Sequence, residues 1–149
     1  MKKLAFLAAL AALFACTKTP QEQPLPTKGN YSGTVSVDWS GGTFDTENIS
    51  VDYLPAADGM TAEIIIYKIK FVPAMPVTID VTIPGVTVTR KGDEIVLSGN
   101  DIIPTAMGGA PYERYKVTGL SGTVSASKLD FSLNFGDSPT RFNGKRRSN

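Results

Sequence analysis

Most of the chain after residue 29 alternates between apolar and polar side chains with a period of two. In the first such segment Tyr31, Val35, Val37 and Trp39 share one face, and serine, threonine and aspartate occupy the other. This pattern is typical of a strand that buries one face. Similar alternation predicts further strands around residues 49–53, 60–72, 77–83, 86–90, 94–98, 115–126, 129–135 and 141–143.

Short turn sequences separate these segments, and none has the 3.6-residue period of a helix. Ser40-Gly41-Gly42, Pro84-Gly85 and Lys91-Gly92-Asp93 are typical of tight turns. Pro73-Ala74-Met75-Pro76 ends a strand, because proline has no backbone N–H to donate to a neighbouring strand. The sequence therefore predicts an all-β fold of about eight strands. An antiparallel up-and-down barrel would hide both edge strands, and a two-sheet sandwich is the alternative.

Two segments depart from simple alternation. Ile64-Ile65-Ile66-Tyr67 is apolar on both faces, which predicts a strand buried on both sides. The segment from Gly99 to Arg114 has little periodicity and is rich in glycine and proline. Long connections of this kind are often functional or mobile. One hypothesis is that the segment covers one end of the barrel, and the other is that it is an ordinary surface loop.

The N-terminus has the order of a secretory signal. Lys2 and Lys3 precede an apolar run over residues 4–14, too short to span a bilayer as a helix. Leu13-Phe14-Ala15-Cys16 resembles a bacterial lipobox, although Phe14 is larger than the residue usual at its position. The resemblance implies cleavage before Cys16, which then carries the lipid. A plain signal peptide is the alternative.

The segment that follows Cys16 contains three prolines and almost no apolar residue, which is typical of a flexible tether. We therefore expect a lipid-anchored protein of the cell envelope, held at the outer membrane. Whether it faces the periplasm or the cell surface is left open. The predicted division is a signal peptide over residues 1–15, a tether over 16–29, a barrel over 30–144 and a basic tail over 145–149.

Composition narrows the chemistry. The chain has 15 basic and 14 acidic residues, and no basic face stands out in the sequence, which argues against nucleic acid as a partner. It has no histidine, which excludes Ser-His-Asp and Cys-His catalysis and histidine-ligated metals. Cys16 is the only cysteine, so no intrachain disulfide forms. No cofactor, metal site or catalytic residue is predicted.

Several short stretches resemble the calycin-like β-barrel lipoproteins of Bacteroides-type bacteria. The stretches are Tyr31-Ser32-Gly33-Thr34, Asp58-Gly59, Met75-Pro76-Val77, Leu120-Ser121-Gly122-Thr123-Val124 and Lys128-Leu129-Asp130-Phe131. The resemblance covers residues 31–136 and implies an eight-stranded up-and-down barrel. Activity in that family is mostly unassigned. The Gly-x-Trp of true lipocalins is absent, because Val37-Asp38 precedes Trp39.

A barrel mouth is a common place for a small-molecule pocket. The candidate ligand-binding residues are Trp39, Tyr53, Tyr67, Phe71, Tyr112, Arg114, Phe131 and Phe135. The main hypothesis is a non-enzymatic carrier of a small apolar ligand. If these side chains instead fill the core, the protein is an interaction or adhesion module with a protein or glycan partner. A hydrolase would need two carboxylates meeting in a cleft, and the spacing of the acidic residues pairs none.

Overall fold

The strands close into a barrel in which each is antiparallel to its neighbours. The computed structural model describes residues 27–106 and 108–148. The strands in this part of the chain are β1 Gly29–Trp39, β2 Gly42–Pro55, β3 Thr61–Ile69, β4 Ile79–Lys91, β5 Glu94–Gly99, β6 Thr105–Ala106, β7 Ala110–Pro111, β8 Val117–Val124, β9 Lys128–Phe135 and β10 Ser138–Arg146.

Eight of these strands form the barrel wall. They pair in the order β3-β2-β1-β10-β9-β8-β5-β4, and the additional β3–β4 pairing closes the ring. The architecture is a closed, eight-stranded, antiparallel barrel consistent with a calycin-like fold, which confirms the prediction and excludes the two-sheet sandwich. The small β6–β7 hairpin lies outside this ring and pairs with the first half of β4 through Val81 and Thr82.

The interior of the barrel is filled by side chains from all eight wall strands. The largest side chains that are almost completely buried are Tyr31, Tyr53, Phe135, Ile64, Ile66, Ile69, Ile83, Ile95, Leu97 and Leu129. Because alternate residues of a strand face opposite sides, the period-two pattern sends these side chains inward and the polar ones outward. Eight strands leave room for little more than this packing.

Four β-bulges shift the alternation by one residue and curve the wall. They lie in β2, β3, β4 and β8, and each has a residue with positive φ: Asn48, Lys68, Gly85 and Gly119. A bulge of this type bends its strand and increases its twist, which a closed barrel requires. The predicted turn at Pro84-Gly85 is wrong: β4 runs through it, and the bulge accommodates the proline.

Two strands differ from the prediction, β3 in its burial and β10 in where it ends. The inner face of β3 is buried, but Ile65 and Tyr67 on its outer face are only partly buried, so the prediction of burial on both sides is wrong for the outer face. Strand β10 includes Lys145 and Arg146, two residues beyond the predicted end of the barrel. The predicted signal peptide and most of the predicted tether lie outside the described residues.

The two ends of the barrel are built differently. The end where the chain enters β1 is called the base, and it carries tight turns between β2 and β3, β4 and β5, and β8 and β9. The opposite end is called the mouth. It carries the β1–β2 and β9–β10 turns and two longer connections, over residues 70–78 and 100–116.

Candidate functional site: the mouth of the barrel

A cavity of about 620 Å³ opens at the mouth. It is lined by Asp38, Trp39, Ser40, Phe71, Val72, Arg114, Tyr115, Phe135, Asp137, Ser138 and Pro139. The lining combines aromatic rings with charged and hydroxyl groups, and this volume falls within the range of small-molecule sites in proteins. The cavity therefore has the size and chemistry of a binding site.

Aromatic rings form the floor of this cavity. Phe71 and Tyr115 stack face to face, with ring centroids 4.1 Å apart and an interplanar angle of 11°. Phe135 meets Phe71 edge to face at 5.2 Å. Both phenylalanines are almost fully buried, with exposures of 2% for Phe71 and 0% for Phe135. The floor is thus the top of the barrel core, and it separates the cavity from the interior.

A single turn of 3-10 helix over Glu113–Tyr115 extends the stack. Side chains three residues apart are eclipsed in such a turn, so the rings of Tyr112 and Tyr115 lie parallel, with centroids 5.0 Å apart. The backbone N–H of Tyr115 donates to the Tyr112 carbonyl at 3.0 Å and fixes the turn. The rings of Tyr112, Tyr115 and Phe71 consequently form one column, which runs from the side of the cavity into its floor.

The β9–β10 turn holds this column in place. The N–H of Gly136 donates to the Lys116 carbonyl at 2.9 Å. Gly136 has a φ of +58°, and a Cβ at this position would collide with the carbonyl oxygen of Arg114. Only glycine combines this backbone conformation with such a close approach. The position of Arg114 and Tyr115 in the cavity wall therefore depends on Gly136.

Charged groups lie around the rim. Asp38 accepts a hydrogen bond of 2.6 Å from the Thr43 hydroxyl and lies 3.6 Å from an Arg141 guanidinium nitrogen. The Thr43 hydrogen bond, followed by the charge of Arg141, lowers the pKa of the Asp38 carboxyl and keeps it ionised at neutral pH. The guanidinium of Arg114 lies 5.7 Å from the centroid of the Tyr115 ring. The rim thus offers both signs of charge next to aromatic faces.

Trp39 forms one wall of the cavity at the end of β1. Its indole ring lies against Gly41 in the β1–β2 turn, where a Cβ would collide with it. The side chain is partly buried, so part of the ring is open to solvent. Trp39 is also the only tryptophan in the chain, which makes its fluorescence a specific reporter for the mouth.

The structure brings together five of the eight candidate ligand-binding residues. Trp39, Phe71, Arg114 and Phe135 line the cavity, and Tyr112 stacks next to it. The predicted cover is only partly a loop, because the segment from Gly99 to Arg114 contains the β6–β7 hairpin and the start of the 3-10 turn.

The other three candidates lie elsewhere. Tyr53 and Phe131 are buried in the core, and neither lines the mouth cavity. Burial, followed by the nearby Tyr31, raises the pKa of Tyr53 to about 12, and its buried hydroxyl has no hydrogen-bond partner among the described residues. Tyr67 lies on the outer wall, where its hydroxyl donates to Asp52 at 2.7 Å.

Sequence reasoning missed Asp38, Tyr115 and Asp137 as lining residues. Asp38 lies on the polar face of β1, and only its place at the strand end brings it to the cavity. Tyr115 was predicted as the start of a strand. Its three-residue spacing from Tyr112 was the available signal, since that spacing places two rings together in a 3-10 turn.

Comparison with known proteins assigns no family to this site: no family model, no curated protein and no solved structure matches the chain. Over the described residues, no helix has the length and apolar character needed to cross a bilayer. In the same part of the chain, no group of three or more histidine, cysteine, aspartate or glutamate side chains is arranged to hold a metal ion.

Proposed function

We propose that this protein is a non-enzymatic binding protein of the cell envelope, and that its mouth cavity binds a small amphipathic ligand with a flat ring. The observation that carries the proposal is the aromatic floor of Phe71 and Tyr115 next to the guanidinium of Arg114. Both faces of Tyr115 are covered by Phe71 and Tyr112, so a flat ring would pack against Trp39 and the edges of the floor rings. An acidic group of the same ligand could then pair with the arginine.

The filled interior favours a site at the mouth over a purely apolar ligand held deep inside. Phe71 and Phe135 are buried beneath the cavity and close it from below. A ligand entering the core would have to displace close-packed side chains, which is costly. A ligand at the mouth needs no such change, and it meets polar groups that an entirely apolar molecule would leave unpaired.

The same filled core favours a second candidate, an interaction module whose partner is a protein or glycan. In that case the partner covers the mouth with its surface, and no free small molecule binds there. The closed floor is compatible with both candidates, so the binding experiment below must separate them.

The surroundings of Asp38 argue against this carboxyl as the acid of a hydrolase. A carboxylate-based hydrolase needs one carboxyl group with a raised pKa to act as the acid. The pKa of Asp38 is lowered instead, by the Thr43 hydrogen bond and the charge of Arg141. Asp38 is thus better suited to orient Arg141 or a cationic group of a ligand than to donate a proton.

The envelope location rests on the sequence around Cys16. Replacing Cys16 with alanine should abolish incorporation of a labelled fatty acid and release the protein from the membrane fraction. A labelled, membrane-bound Cys16→Ala protein would contradict the lipid anchor and leave the mouth proposal unaffected.

Titration of the full chain with 1-anilinonaphthalene-8-sulfonate tests the mouth. This probe has a flat ring system and one anionic group, and Trp39 emission reports its arrival. We expect saturable quenching with one site per chain. The Arg114→Ala variant should bind roughly tenfold more weakly, because a charge-assisted contact is lost.

Arg147→Ala is the matched control, because it removes a cation from the base and should leave the affinity unchanged. Equal affinity in both variants, or quenching that does not saturate, would refute a small-molecule site at the mouth. An absence of probe binding would favour the interaction module.

A further inference from the structure

Five cations come together at the base, on the ends of three neighbouring strands. They are Lys28 before β1, Lys128 at the start of β9, and Lys145, Arg146 and Arg147 at the end of β10. We name these five residues the basic patch. Strand β10 lies between β9 and β1, so the register joins the three ends into one surface.

Two lysines of the basic patch face each other across a strand pair. Lys128 is paired with Lys145 in the β9–β10 register, and both side chains are exposed. Like charges directly opposite each other destabilise an antiparallel pair. Among the described residues no carboxylate forms an ion pair with either lysine. The arrangement leaves both charges available to an outside anion.

The two arginines are fixed next to the entry of the chain. Arg146 donates to the Lys28 carbonyl at 3.2 Å, and its guanidinium lies 5.9 Å from the centroid of the Tyr31 ring. The N–H of Arg147 donates to the Asn30 carbonyl at 2.9 Å, which continues the β1–β10 pairing. A cavity of about 240 Å³ is lined by both arginines and Lys28, together with one acidic residue, Asp52.

The remainder of the base does not share this charge. Next to the β4–β5 turn, the cations Arg90 and Lys91 are matched by the carboxylates of Asp93 and Glu94. The basic patch has five cations against the carboxylates of Asp52 and Asp130, so it keeps a net positive charge at the start of β1.

We propose that the basic patch docks on an anionic phospholipid surface and orients the barrel with its mouth away from the bilayer. Cations close to an anionic leaflet are attracted to it, and this attraction is screened by salt. Phospholipid phosphates suit arginine forks and lysine point charges alike. The attraction and the orientation both come from the basic patch and do not require the proposed anchor at Cys16.

Sedimentation with vesicles tests the docking without the anchor. The full chain carrying Cys16→Ala is mixed with phosphatidylcholine vesicles containing roughly a third phosphatidylglycerol, and with pure phosphatidylcholine vesicles. We expect binding to the anionic vesicles only, with a partition coefficient that falls as salt is raised. A Lys128→Glu/Lys145→Glu variant should bind at least roughly tenfold more weakly.

Two features make the variants informative. The double reversal keeps a like-charge pair at the same positions, so folding is affected little. Lys70→Glu/Lys116→Glu is the matched control, because it reverses two cations at the mouth and should leave partitioning close to that of the parent.

Three outcomes would overturn the proposal: no binding to anionic vesicles, equal binding to both vesicle types, or equal losses in the two double variants. Competition with inorganic phosphate separates a surface from a single phosphate site. Millimolar phosphate should have no more effect than sodium chloride of the same ionic strength, and specific displacement would contradict docking on a membrane. Failure of the Cys16 lipid label would instead affect only the proposed anchor.

Discussion

The mouth and the base are two ends of one barrel, yet they differ in construction and chemistry. The base uses tight turns and carries the basic patch of five cations. The mouth uses long connections, a column of three aromatic rings and charges of both signs. Tight turns complete the sheet with few residues, whereas long connections can bring side chains from distant strands together. If both proposals above hold, membrane docking and ligand binding take place at opposite ends of the barrel.

The largest expected effect concerns the floor between mouth and core. Phe135→Ala should reduce the free energy of unfolding by about 3–5 kcal/mol, because it removes a fully buried ring that packs against Phe71. Denaturant unfolding measures this loss. Phe44→Ala is the control, since Phe44 is only partly buried and its loss should cost clearly less. Similar costs for the two variants would show that the floor is not part of the core.

A second prediction concerns the contact that positions the aromatic column. Gly136→Ala should cost about 2 kcal/mol or more, since it combines a positive φ with a collision against the Arg114 carbonyl. Gly59→Ala at the base has a comparable φ of +71° but open space around it, and should cost only about 1 kcal/mol. Thermal unfolding of both variants measures the two losses of stability, and their difference is the part caused by the collision. If the two variants lose the same stability, the close contact of Gly136 does not position Arg114 and Tyr115 at the mouth.

A third prediction concerns the buried hydroxyl of Tyr53 in the core. Tyr53→Phe should raise the free energy of unfolding by about 1 kcal/mol at neutral pH, because it removes a buried polar group without a partner among the described residues. Because burial raises the pKa of Tyr53 from 10.0 to about 12, the unfolded chain loses this proton at a lower pH than the folded protein does. The free energy of unfolding of the parent therefore falls as pH rises from about 10 towards 12.

Unfolding curves of both proteins between neutral pH and pH 12 measure this difference. Tyr53→Phe should retain more of its stability than the parent over the alkaline range. A destabilised variant at neutral pH would show that the hydroxyl has a partner in solution, and an unchanged alkaline profile would contradict the raised pKa.

The smallest expected effect is at the basic patch. Lys145→Glu replaces a like-charge pair with an opposite-charge pair opposite Lys128. The midpoint of thermal unfolding should rise by roughly 1–4 °C, while binding to anionic vesicles weakens. Opposite changes in stability and binding would identify Lys145 as a residue that serves docking at a cost to the fold. A lower midpoint of thermal unfolding in this variant would contradict the claim that repulsion between Lys128 and Lys145 destabilises the fold.

Much of the wall could be predicted from the sequence, because a half-buried strand needs the alternation that Tyr31, Val35 and Val37 display. The turn at Lys91-Gly92-Asp93 was also correct, since β4 ends and β5 begins there. The prediction of a turn at Pro84-Gly85 was wrong because this dipeptide is compatible with both a turn and a β-bulge. Only the pairing of β4 with β3 decides between the two.

The site was less predictable, since it depends on which strand ends meet in space. Trp39 and Phe135 end two different strands and Phe71 lies in the connection after β3, so only barrel closure gathers them at one end. Parity alone could not separate them from Phe131, which has the same alternation but lies in the core. The basic patch was hidden for a related reason: its cations are spread from residue 28 to residue 147 and become neighbours through the β9–β10–β1 register.

The most direct test of the division between the two ends measures whether Trp39 lies close to the membrane when the protein is bound to a vesicle. The Cys16→Ala chain is bound to anionic vesicles that contain a lipid with a spin label on its headgroup, a short-range quencher. Trp39 emission should remain unquenched, whereas a tryptophan introduced at the base, in Trp39→Phe/Ala57→Trp, should be quenched. Quenching of Trp39 with an unquenched base tryptophan would place the mouth on the membrane and contradict the account.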